Sequence, residues 1–183
     1  MNGSQVLKKA YVPFQNCLTF SDFQTKVNNL GNSKWNFIRA SLLYQQSLKC
    51  KNCEPNVAMV LLCSCADAMK IAGSNAGSRR NFKQLYLTHC PASKRNPPMR
   101  YYPNKRPPIQ PVPFDKALDF IYSKFRCLYV HEGIGRLELP PDDFEWVKGT
   151  LLDACANDIY EIDFLRILNW FADITFESLY NII

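Results

Sequence analysis

The chain has 183 residues, 47% of them hydrophobic, and a formal net charge of +6. That length supports one hydrophobic core and is short for two, so a single domain over residues 1–183 is expected. No apolar run reaches the roughly 20 residues needed to cross a bilayer, since the longest, VAMVLLCSCADAM, is interrupted by Asp67; the N-terminus MNGSQVLKKA lacks the apolar core of a secretion signal, which makes no membrane contact and a cytoplasmic location the expectation.

Glycine is scarce, and the apolar residues fall in long stretches and not in short alternating runs, a pattern that favours helices. Residues 1–19 lack a clear period and read as an arm, so that 1–32 is expected to be an arm plus one short helix. SDFQTKVNNLG carries that helix, with Ser21 as its cap and Gly31 at its close. The next, SKWNFIRASLLYQQSLKC, is expected over about 34–50, capped by Ser33, with Trp35, Ile38, Leu42, Gln45 and Leu48 on its apolar face. KNCEPN breaks the chain. Pro55 suits the first turn of the following helix, where its missing N–H costs nothing. That helix is expected over about 55–72, with Val57, Val60, Leu61, Ser64, Ala68 and Ile71 inward, packed on its predecessor as an antiparallel hairpin.

Residues 73–113 form a different kind of segment. GSNAGS is a break, RRNFKQLYLTHC holds a short helix, and residues 91–113 contain eight prolines. Proline lacks the backbone donor and disfavours helix in the residue before it, so this stretch is expected to run extended over the surface, neither helix nor inner strand. The helix FDKALDFIYSKFRCLYV follows, with Phe114, Leu118, Ile121, Phe125 and Leu128 as its stripe and Gly133 and Gly135 beyond its end. PPDDFEWVKGTLLDACAND is expected to begin a further helix near Pro141 or Asp142, and IDFLRILNWFADITFESLYNII to finish the chain as one or two more. The fold class expected is all-α, a bundle of about five or six helices with a long basic proline-rich loop.

Eight cysteines raise the question of metal. Cys50 and Cys53 form a CxxC, and Cys63 and Cys65 a CxC. Two residues turn a helix by about 200°, so Cys63 and Cys65 do not face one ion from a helix, and reduced, partly buried thiols are expected in place of a zinc site. No metal or other cofactor is called for.

The charge is uneven. Residues 68–114 hold nine basic and no acidic side chains, whereas residues 115–183 hold six basic and thirteen acidic ones. An acid-free basic segment is a footprint for a polyanion such as nucleic acid; a loop that pairs with the acidic third of its own chain is the other reading. Within the segment, Arg95, Arg100, Lys105 and Arg106 are candidates to hold an RNA backbone, and Tyr101 and Tyr102 to stack on unpaired bases or else to pack the loop onto the bundle.

Arg126 and His131 stand five residues apart at the end of a core helix, in the string KFRCLYVHEGIG. Arg126 shares a row with Tyr122 and Tyr129. Asp67 lies on a row with Val60, Ser64 and Ile71, and a carboxylate facing the core needs a partner, since an unpaired one is expensive to bury. Arg126, oriented by Asp67 through a charge-assisted hydrogen bond, is one candidate; Lys70 or water at the bundle rim is the other.

The string resembles the HEPN superfamily, whose hallmark is an arginine, four to six residues, and a histidine near the end of a core helix in an all-α bundle. Phe125-Arg126 followed by His131-Glu132-Gly133, with Cys127 directly after the arginine, is similar to the ending of the Apea-like branch. The likeness extends loosely over 34–72 and 114–131. It implies metal-independent RNA cleavage by the RNA's own 2′-hydroxyl, leaving a 2′,3′-cyclic phosphate, with Arg126 and His131 catalytic and Asp67 supporting them. It further implies a homodimer with a composite cleft, a role as a toxin or phage-defence effector, and an antitoxin or nucleotidyltransferase as partner. Such a site requires Arg126 and His131 to meet in an open cleft. A non-catalytic HEPN-like module that binds RNA, nucleotide or protein is the alternative.

Overall fold

The computed structural model describes residues 3–69, 79–127, 148–153 and 158–183, with side chains left aside at 127 and 148–153. Among these, seven helices surround one core and a four-stranded sheet packs on one of them, so the chain is mostly helical without being all-α.

The N-terminal residues are not an arm. They form α1 (Gly3–Tyr11) and a 3₁₀ turn (Val12–Phe14), and Leu7, Ala10 and Phe14 are buried. Their spacing of three and four is helical, and it brings Phe14 into a stack with Phe23, Phe37 and Phe176 at centroid distances of 5.5, 5.9 and 5.5 Å. In α2 (Phe20–Asn29) the cap is Thr19, not Ser21: its hydroxyl accepts from the N–H of Asp22. Gly31, at φ +54°, supplies the left-handed turn after that helix.

The helix α3 (Lys34–Cys50) has the expected ends, although Ser33 lies in helical geometry and makes no cap bond. Its inner face matches the expected one at Ile38, and in part at Leu42, and departs from it elsewhere. Phe37, Ile38, Ala40, Ser41, Tyr44 and Ser47 are buried, while Trp35 is 60% and Leu48 41% exposed. Small residues at 40, 41 and 47 let α3 sit close to its neighbour, and a reading by bulk put the face one position out. The neighbour is α4 (Pro55–Ala68), with Pro55 in its first turn as expected. This helix contacts α3, α5 (Arg79–His89), the segment after α6 (Phe114–Ile121) and α7 (Phe164–Tyr180). A helix packed on nearly every side is apolar all round, so Val57, Val60, Leu61, Ser64 and Ala68 of the face chosen from the sequence are only half-buried, Ile71 lying outside the described residues, and Ala58, Met59, Leu62, Cys63, Cys65 and Ala66 lie deepest.

The core stripe of α6 is present: Leu118, Ile121 and Phe125 are fully buried, with Phe114 at the edge. Leu128 lies outside the described residues, as do GSNAGS, Pro141 and Asp142. Past Ile121 the helix widens into a π-helical turn, Tyr122–Cys127. Ser123 donates back to the carbonyl of Asp119 at 2.7 Å, a bond that competes with regular α-helical pairing at the point of widening.

The sheet overturns two expectations. The strands β1 (Arg100–Tyr102), β2 (Gln110–Pro111), β3 (Lys148–Asp153) and β4 (Asp158–Asp163) run in the order β2-β1-β4-β3, antiparallel throughout. β1 is therefore an inner strand inside the proline-rich stretch. Arg100, Tyr101 and Tyr102 all keep their N–H groups, and the prolines fall on either side, including Pro111 on the edge strand where a missing donor is tolerated. The expected helix after Pro141 is a strand hairpin over the described residues. DIYEID alternates buried and half-buried, with Asp158, Tyr160 and Ile162 inward, a period of two in place of 3.6. Tyr160 packs on Phe120 at 4.8 Å, which seats the sheet on α6.

Candidate functional site

Arg126 lies in the π-helical turn and Asp67 on the last turn of α4. Arg126 Nε donates to Asp67 Oδ2 at 3.2 Å, so the carboxylate of one core helix meets the guanidinium of another. Beneath the guanidinium is the ring of Tyr122, one turn earlier, with Cζ at 5.3 Å from its centroid. The ring is itself held by Phe82 of α5 at 5.3 Å. Arg126 is only 9% exposed. Among the described residues, Tyr122 and Phe125 are buried beside it and Asp67 covers its Nε edge; the open cleft expected to join it to His131 involves residues outside the described ones. His131, Cys127's side chain, Tyr129, Gly133 and Gly135 lie outside the described residues, as does Lys70, the rival partner for Asp67.

The six residues expected to contact RNA divide sharply. Arg95 is turned inward on its own chain: its Nη2 donates to the carbonyls of Leu87 and Cys90 at 2.9 and 2.8 Å, its Nε to Cys90 at 3.0 Å, and the guanidinium sits over Phe114. It caps the C-terminal end of α5, where carbonyls lack helical partners. Tyr101 is buried, stacked on Tyr160 at 5.8 Å with Lys116 Nζ 4.4 Å from its ring centroid, so it packs the segment down and offers no face to a base. Tyr102 is half-buried and donates to Glu161 Oε1 at 3.2 Å, and that carboxylate raises the phenol's pKa. Arg100, Lys105 and Arg106 are exposed.

These last residues border a loop with a rigid tether. Asn104 and Lys105 both adopt positive φ, 50° and 60°. The N–H of Asn104 donates to Asp158 Oδ1 at 2.8 Å, and Asp158 also pairs with Lys116. Burial alone would raise the Asp158 carboxyl, but the ammonium and the amide outweigh it and hold it below the usual aspartate range. Sequence reasoning missed Asp158 and Lys116. Their signal was faint: an acid at an inward position of an alternating strand.

The cysteines fall apart as a ligand set. Cys63 and Cys65 are both buried because α4 is surrounded, while Cys53 is exposed at the end of α3. Burial pushes the Cys65 thiol far above its ordinary pKa, and its Sγ donates to the Leu61 carbonyl at 3.2 Å. A thiol held protonated is a poor ligand, since metals bind the thiolate. Among the described residues no three His, Cys, Asp or Glu side chains converge.

The other histidine, His89, closes α5 and lines a cleft of about 440 Å³ with Leu30, Ala66, Met69, Leu85 and Ile182. Partial burial lowers its pKa. None of the described residues expected to act on or bind RNA lines that cleft.

No protein-family model, curated protein or solved structure matches the chain.

Proposed function

We propose that this chain is a metal-independent endoribonuclease of the HEPN type, with Arg126 and His131 as its catalytic pair and Asp67 as the residue that orients the arginine. The observation that supports it most directly is the Asp67–Arg126 hydrogen bond. An arginine on a core helix, bonded to a carboxylate from a facing helix, is restrained toward one orientation, as phosphate recognition asks of a guanidinium.

In this reading the 2′-oxygen of RNA attacks the adjacent phosphorus. The bond from phosphorus to the 5′-oxygen breaks, leaving a 2′,3′-cyclic phosphate and a 5′-hydroxyl. One proton leaves the 2′-hydroxyl and one arrives on the 5′-oxygen; an imidazole has an ordinary pKa near neutrality, which suits such a transfer, and His131 is assigned that role in this reading. Arg126 stabilises the charge that builds on the phosphoryl oxygens. A second copy of the chain would bring two such pairs into one cleft. Exposed Arg100, Lys105 and Arg106 would hold the RNA backbone.

The depth of Arg126 favours a second reading, a module that binds RNA without cutting it, in which the Asp67–Arg126 pair serves the packing of α4 on the π-helical turn after α6. Purified protein incubated with total RNA in EDTA separates the two. The nuclease yields fragments ending in 2′,3′-cyclic phosphate, and His131→Ala and Arg126→Ala abolish them. RNA retained on the protein with no new ends supports the binding module. Cleavage undiminished by His131→Ala rules out the proposed pair.

A further inference from the structure

We propose that Tyr122 is a positioning residue, and that its ring, rather than Asp67 alone, holds the Arg126 guanidinium in its working orientation. The inference rests on the ribonuclease reading for its effect on catalysis, but the clamp itself is a matter of geometry.

The Asp67 contact runs through Nε, a single donor near the pivot of the side chain. A hydrogen bond at that atom holds the side chain near its pivot and does not by itself set the plane of the guanidinium. The Tyr122 ring supplies a plane. Tyr122 and Arg126 are four residues apart, which places them on one face of the helix, and Cζ lies 5.3 Å from the ring centroid, within cation–π range. The ring cannot swing away. Phe82 packs on it at 5.3 Å with a 57° tilt, and Phe82 is in turn fixed by Tyr86 at 5.4 Å and Phe171 at 6.2 Å. The aromatic cluster of α5 and α7 thus reaches the guanidinium through one tyrosine. An aromatic face also offsets the cost of taking a cation out of water, where a plain aliphatic neighbour would not.

Leucine at position 122 would test this crudely, because losing a ring from the core can unfold the chain. An isosteric series is cleaner: phenylalanine at 122, then phenylalanine carrying one, two and three ring fluorines, each of which drains the face of the ring while keeping its shape. The exchange rate of the Arg126 Nε–H proton, followed by NMR, is expected to rise along the series, and kcat on a short RNA to fall stepwise by about tenfold in all with KM within about twofold. A purely structural ring would leave both flat. A flat exchange series overturns the proposal, and so does a flat kcat series in a chain that cleaves RNA. A drop at phenylalanine as large as the whole series also overturns it, since the hydroxyl would then be the group that acts. A wild-type chain that cuts no RNA defeats the ribonuclease reading and leaves the exchange series to decide on Tyr122.

Discussion

At the scale of single residues, the problem the fold solves is how to keep a guanidinium nine-tenths buried. Desolvating a cation is costly, and removing its partner leaves the whole of that cost standing. Asp67, about a fifth exposed, keeps contact with water and is close enough to Arg126 to pair with it. Asp67→Ala is therefore expected to destabilise the chain by about 1–3 kcal/mol in urea denaturation. Arg126→Met keeps much of the apolar stem and removes the charge, so the double variant should cost less than the two singles added, by at least about 0.5 kcal/mol. Strict additivity would mean that the pair does not interact. Asp158 behaves differently, because its pKa is held down in the folded chain by Lys116 and the Asn104 amide against the effect of burial. A carboxyl depressed below its unfolded value of about 3.9 contributes stability that is complete above that pH and is lost as pH falls through the folded-state value. The stability gap between wild type and Asp158→Asn should accordingly be flat from neutrality down to about pH 5 and close in more acid solution. A gap unchanged to pH 2 would show that the ion pair does not set the carboxyl's titration.

At the scale of elements, the segments with a strong 3.6-residue period were legible: α3, α4 and α6 stand where their apolar runs and punctuation put them. The pairing of Asp67 with Arg126 was also legible, from a carboxylate on a core helix in need of a cation. The stripe of α6 was legible too, but the face of α3 was only partly so, because Ala40, Ser41 and Ser47 are buried for their small size, which a count of apolar bulk does not register. The sheet was missed for another reason. β1 has only three residues, too few to display a period, and its neighbours' prolines argued against a strand that in fact lies between them. The part Tyr122 plays was visible only as a shared helix row; the packing by Phe82 that gives it force comes from a distant helix. The inner position of β1 has a direct consequence for exchange. Its amides and carbonyls have partners on both sides, and Val112 N–H also bonds to the Met99 carbonyl at 3.1 Å. Peptides covering Arg100–Tyr102 should exchange deuterium markedly more slowly than those covering 104–109, in spite of the proline-rich sequence around them. Equal, fast exchange in both would mean that the sheet order does not hold in solution.

At the scale of the whole molecule, the question is whether the basic middle of the chain is spent on its own acids or kept for a polyanion. The structure divides it. Arg79 and Lys83 pair with Asp119, Lys83 also with Asp115, and Lys94 approaches Glu177 at 3.9 Å. Arg95 is consumed by the end of α5. Among the described residues, Arg80 is exposed on α5, and the other outward charges cluster on the sheet and its tethered loop, as Arg100, Lys105 and Arg106, with Arg100 standing opposite Glu161 in the ladder. If these three contact RNA phosphates, each releases counterions, and for a single strand each contributes about 0.7 to the slope of log affinity against log salt. Replacing Arg100 and Arg106 by Gln and Lys105 by Asn, a residue that tolerates the positive φ there, should flatten that slope by about 2, with Arg100 contributing least because Glu161 already balances it. Arg95→Ala should leave the slope alone and lower the melting temperature, since it removes a helix cap and no outward charge. Fluorescence anisotropy with a short unstructured RNA over a range of salt concentrations measures the first, and thermal unfolding the second. A slope unmoved by the triple change would assign the acid-free segment to internal balance, with its outward charges serving solubility. A slope that falls, alongside an Arg95 variant that binds normally, would mean that part of the segment's charge builds the fold and another part faces the RNA.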